Sequence, residues 1–229
     1  MPSNLKNYIR KVVNKPSDDF IPLNGMFSYG LNDKTAHIHM PIRIDEELKD
    51  KGLKYTIEDV NENLYDALQK MVTIAKNNPK IKQVFAVSPL LSQRVFRERL
   101  ELLGFKTESA DEKFEKYFPG QKGLYQARIP LERLKQVLEI EKETREKMDQ
   151  NGEFWHNKIL YYKYMELKKI GIIDYYNIPL DKIVQMGKMN YNYRHGLSLE
   201  TKEKRNKQFD IRNESTLPKR EKNNLERER

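Results

Sequence analysis

The chain has 229 residues, of which 38% are hydrophobic and 34% charged, enough for one large domain or for one domain with an extension. It has no cysteine, which excludes disulfides, thiolate metal sites and a cysteine nucleophile. No run of about 18 apolar residues is present and the first residues lack a signal-peptide core, so a cytoplasmic protein without a membrane partner is expected.

The net charge is +9, divided almost evenly as +4 over residues 1–128 and +5 over residues 129–229. Such mixing describes a solvated surface, and a folded basic patch for nucleic acid is the alternative it leaves open.

Residues 1–19 hold one short amphipathic pattern, Leu5, Ile9, Val12 and Val13, broken by Lys15-Pro16-Ser17. Ile21 to Ile44 predicts a hairpin. Met26, Phe27 and Tyr29 form its first strand, and Gly30 to Lys34 supplies turn chemistry. Ala36 to Ile42 alternates with period two, so His37 and His39 share one face and Ile38 and Met40 the other. Pro41 cannot donate to a ladder and marks a bulge, an edge or the end of pairing.

A charged connection, Arg43 to Tyr55, follows. Thr56-Ile57-Glu58-Asp59 resembles a capping box, and Val60, Leu64, Leu68, Met71, Val72 and Ala75 make a helical stripe that Asn77-Asn78-Pro79 ends. Ile81 to Val87 is an apolar, β-branched strand stopped by Ser88-Pro89. Next comes a helix with Leu90, Leu91, Val95, Phe96, Leu100, Leu102 and Leu103 as its apolar positions, Ser92 as its cap and Gly104 as its end. Residues 105–118 offer a strand and a loop. Pro119 to Gly123 is a turn, and Leu124 to Ile129 is a last strand.

A boundary falls near Ile129-Pro130. Beyond it lie a charged helix to Met148, an aromatic-rich helix from Phe154 to Ile170 and a short helix from Leu180 to Met186. A charged tail without a packed core begins near Leu197. The expected organisation is an α/β (α+β) domain over 1–129 with a mixed, mostly antiparallel sheet, a helical extension over 130–196 and a disordered tail over 197–229.

Three sets of residues carry chemistry. His37 and His39, at i and i+2 on a strand, either contact a substrate as neutral bases, or hold two of the three or more ligands a metal needs, or stand as polar residues on a half-exposed face. Arg94, Arg97 and Arg99 either meet phosphates or form the solvated face of their helix. Phe154, Trp155, Tyr161, Tyr162, Tyr164, Tyr175, Tyr176, Tyr191 and Tyr193 lie among lysines. They either dock the extension or stack on single-stranded bases, and the nucleic-acid reading needs Lys158, Lys163, Lys168, Lys169 and Arg194 on one face.

The order hairpin, strand, helix, strand, helix, strand, turn, strand, with Arg99-Leu100-Glu101-Leu102-Leu103-Gly104-Phe105 closing the second helix, resembles the carboxyl-terminal half of the GNAT (Gcn5-related N-acetyltransferase) fold over about residues 20–129. The resemblance implies an acyl-CoA cosubstrate and an amine-bearing small molecule or protein as acceptor. It places cofactor contacts at Met40, Ile42 and Arg43 and at Gln93 and Arg94, makes His37 or His39 the catalytic base, and calls for no metal. The chain departs from the family twice. Ile42 to Ile57 lacks the glycine-rich pyrophosphate loop, and Leu100 stands where the family's proton-donating tyrosine falls.

Overall fold

The computed structural model describes residues 20–40, 56–110 and 125–196. A six-stranded sheet has the order β1-β2-β3-β4-β6-β5. Its strands are β1 (Ile21–Pro22), β2 (Ser28–Asn32), β3 (Thr35–His39), β4 (Gln83–Ser88), β5 (Lys106–Ser109) and β6 (Tyr125–Pro130). Every neighbouring pair is antiparallel except β3 and β4. The protein is therefore α+β with a mostly antiparallel open sheet.

The hairpin β2–β3 turns later than expected, because Gly30, Leu31 and Asn32 remain in the ladder and pair with His37, Ala36 and Thr35. Asp33 makes the turn at φ 53°, a left-handed value that aspartate tolerates better than most residues. An antiparallel partner for β3 uses one of its edges, and the parallel strand β4 uses the other.

Helix α1 (Ile57–Asn77) crosses between β3 and β4 and packs Val60, Leu68, Met71 and Ala75 onto the sheet. Its capping box is complete: the Thr56 hydroxyl accepts from the Asp59 amide at 3.1 Å, and the Asp59 carboxylate accepts from the Thr56 amide at 2.6 Å. After β4 the chain makes a 3-10 turn over Pro89–Ser92 and enters α2 (Arg94–Leu102). The expected Ser92 cap is not used. Gln93 is the N-cap, without a side-chain bond, because the turn carries Ser92 one residue too early. Val95, expected on the apolar stripe, is 41% exposed. Gly104 ends the helix at φ +83°, where a Cβ would meet Ile129, Ile172 and Val137 at 3.0–3.2 Å.

The extension consists of α3 (Leu131–Asn151), a 3-10 turn (Glu153–Trp155), α4 (His156–Lys169), α5 (Ile172–Tyr176) and α6 (Leu180–Arg194). The last helix runs past the expected end at Met186, and so places Tyr191 and Tyr193 on a helix. Leu131, Leu134 and Leu138 of α3 join the sheet's core. Val137 joins a second core with Leu102 of α2, Leu167 of α4, Ile172 and Ile173 of α5 and Ile183 of α6. The Tyr176 hydroxyl donates to the Phe105 carbonyl. Among the described residues no helix is long and apolar enough to cross a membrane.

Candidate functional site

The parallel ladder between β3 and β4 is short. It pairs Thr35 with Gln83, Ala36 with Val84 and His37 with Phe85. β3 continues two residues further and β4 three. Over those three residues β4 stays paired with β6, through Ala86↔Ala127, Val87↔Gln126 and Ser88↔Tyr125. Among the described residues β4 thus stays with β6 to its end, and its pairing with β3 stops at His37 and Phe85, which makes the ends of these two strands the candidate opening. The 3-10 turn and the start of α2 stand at the β4 side of this opening.

His37 marks the last parallel pair. It is 7% exposed, and its ring meets Phe85 edge-on at 5.0 Å between centroids. Burial strips water from the charged imidazolium and lowers its pKa to about 4, so the ring is neutral at pH 7. His39 lies on the same face and packs against Phe20, with ring centroids 5.2 Å apart. It is half-buried, and its pKa is lowered by the same desolvation. Met40 is half-buried against the core on the opposite face. Ile42 and Arg43, expected beside it, lie outside the described residues. Two histidines are thus brought to the opening with two aromatic rings that the sequence reading missed. Phe20 and Phe85 carried no signal beyond being apolar residues near strands.

The two helix starts around the opening differ. α1 begins with its own capping box and carries Glu58 and Asp59 in its first turn. Asp59 also accepts from the Tyr193 hydroxyl of α6. These groups satisfy the first amides and add negative charge, which is unfavourable for a phosphate. α2 begins with no acidic residue in its first turn and with Gln93 leaving the cap position unbonded. Arg94 stands there with its side chain 82% exposed, its Nε donating to Glu98 at 2.7 Å. Arg97 turns back instead. It donates to the Leu91 carbonyl at 2.8 Å and to the Ser92 carbonyl at 2.5 Å, and it stacks on Tyr125 at 4.4 Å, bracing the turn before α2. Arg99, grouped with these two by sequence, is buried and donates to Asn190 at 3.1 Å. Leu100 is 6% exposed and packs in the core.

The aromatic residues of the extension divide. Tyr191 is buried and Tyr164, Tyr176 and Tyr193 are half-buried, as docking requires. Phe154, Trp155, Tyr161, Tyr162 and Tyr175 face solvent, with Phe154 87% exposed. The five cations do not gather on one face. Lys158, Lys168 and Lys169 are exposed on α4, whereas Lys163 points inward to Glu141 and Arg194 bonds Asp149 at 2.8 Å. Among the described residues no cluster of three or more His, Cys, Asp or Glu is placed to hold a metal ion.

Comparison with protein-family models, with curated proteins and with solved structures finds no match for this chain.

Proposed function

We propose that this chain is a divergent GNAT-like N-acyltransferase that moves an acyl group from acyl-CoA to an amine. The observation that carries the reading is the end of the parallel ladder at His37 and Phe85 while β4 stays paired with β6. A strand edge beyond the end of its ladder is where an amide-bearing ligand pairs, as an added strand would, and Ile38 to Met40 is that edge here. The amide-containing arm of an acyl-CoA has that chemistry. The unblocked, cation-bearing start of α2, with Gln93 and Arg94, supports phosphate contacts there. The capped, acidic start of α1 accounts for a CoA mode that dispenses with the family's glycine-rich loop.

In the reaction the amine nitrogen attacks the thioester carbonyl carbon, the C–S bond breaks and the thiolate leaves. The proton released by nitrogen passes to a neutral imidazole, directly or through water. His39, the less buried of the two, is better suited than His37, whose low pKa makes it a weak base. With Leu100 in the core, the thiolate takes its proton from water.

Thermal denaturation with acetyl-CoA and with CoA tests the site. A ligand at 100 times its Kd adds about 2.7 kcal/mol, which is a clear rise in Tm. Arg94→Ala should reduce that rise and leave the ligand-free Tm unchanged. Absence of any shift at millimolar ligand would overturn the reading and favour a non-catalytic binding protein, to which the exposed aromatic face of α4 already points.

A further inference from the structure

The 3-10 turn and α4 enclose, with the end of α3, an open groove of about 370 Å³. It is lined by Lys147, Asn151, Trp155, Lys158, Ile159 and Tyr162. That volume lies at the low end for small-ligand sites and suits one flat ring with its sugar. Trp155 and Tyr162 bring two rings to the lining, 44% and 56% exposed, and Ile159 is its buried apolar residue. The Lys158 ammonium lies 5.0 Å from the Trp155 ring centre. Lys147 has only a loose partner, Glu143 at 3.3 Å, both side chains being more than half exposed. The lining therefore presents two cations and no carboxylate.

The surface continues beyond the groove. Lys158, Tyr162, Met165 and Lys169 recur at helical spacing along the exposed face of α4, with Tyr161 and Lys168 beside them. At about 1.5 Å per residue, Lys169 lies roughly 17 Å along the axis from Lys158. Glu166 is the one acid of that helix. A face of this length, with a ring and a methionine between two lysines and Glu166 3.9 Å from the second, exceeds what a single nucleotide covers.

We infer that the Trp155–Tyr162 groove and the exposed face of α4 bind single-stranded nucleic acid on a smaller basic set than the five cations named from the sequence, without the paired Lys163 and Arg194, with a base stacked in the groove and phosphates on Lys147, Lys158 and Lys169. Stacking accepts any base because every base has a π-face, and the lysines follow the backbone. The inference is independent of the acyl-transfer reading.

Trp155 is the only tryptophan of the chain, so its fluorescence reports on the groove itself. The full-length protein is titrated with a 20-nucleotide oligo(dT) and oligo(U) at several salt concentrations. Strand binding should quench the emission. With about three phosphate contacts, the log–log dependence of affinity on salt should have a slope near −2. Tyr162→Ala should weaken binding about tenfold. Lys158→Gln should also weaken it and make the slope shallower by about 0.7. Tyr175→Ala, an exposed ring outside the groove, should change nothing. Three outcomes would overturn the inference: no quenching at low salt, quenching by free UMP as strong as by the oligonucleotides, or quenching by anionic phosphatidylserine vesicles alone.

Discussion

The two sides of α4 carry similar residues in opposite circumstances. Lys163 points inward, 11% exposed, and holds the Glu141 carboxylate, which also accepts from Arg145 at 2.8 Å. Arg145 in turn reaches Glu62 of α1 at 2.6 Å and stacks on Tyr65 at 3.8 Å. Five residues before Lys163, Lys158 lies in solvent over Trp155. The inner lysine belongs to a desolvated network whose partners cannot be replaced by water. The outer one exchanges its partners with water at little cost. Composition alone treats them alike, and burial decides that the first is structural and the second is free to meet a ligand.

Substitutions can break this contrast, starting with its deepest member. Glu141→Ala removes the shared anion and leaves Lys163 and Arg145 buried without it. Chemical denaturation should show a loss of about 3–5 kcal/mol, and Glu141→Leu with Lys163→Met should recover a large part of it. Gly187 of α6 comes next. A Cβ there would run into the Leu160 side chain, which is 1% exposed and has no room to withdraw. Gly187→Ala should lower stability by about 1–3 kcal/mol, read from the denaturation midpoint.

Acid provides a third probe. Burial raises the Glu141 pKa, but the Lys163 ammonium and the Arg145 guanidinium outweigh it and hold the group at about 2, below its ordinary 4.5. A carboxylate with a depressed folded pKa stabilises the fold above its unfolded value and loses that contribution as pH falls. Stability should therefore decline between pH 4.5 and 2, and Glu141→Gln should flatten that part of the curve. The outer face should respond least. Tyr162→Ala should change the unfolding free energy by no more than about 0.5 kcal/mol, and a larger loss would show that the ring is part of the packing.

Much of the fold was legible because it depends on local chemistry. The Thr56–Asp59 box, the Asn78 stop, the Gly104 turn and the alternation through His37 and His39 all appear where short-range rules put them. The Ser92 cap failed because a 3-10 turn, which no sequence period announces, shifts the helix start by one residue. The end of the β3–β4 ladder, expected near Met40 and Ala86, rests on more than local chemistry. It depends on β4 pairing with β6, a strand nearly forty residues away in sequence. The extension was the hardest to read. The spacing of Tyr161, Tyr162 and Lys163 does not reveal which of them turns inward, since that depends on Glu141 in another helix.

The contact between Tyr193 and Asp59 joins residues 134 positions apart, and Arg99 with Asn190 joins residues 91 apart. During synthesis, at about 5–20 residues per second, Asp59 waits roughly 7–27 s for its partner to be made. The sheet, α1 and α2 emerge first, with Arg99 and Glu62 still lacking the side chains that will enclose them. Among the described residues α6 is thus the last piece to dock, and a ribosome that stalls before it leaves a nascent chain with polar groups awaiting burial.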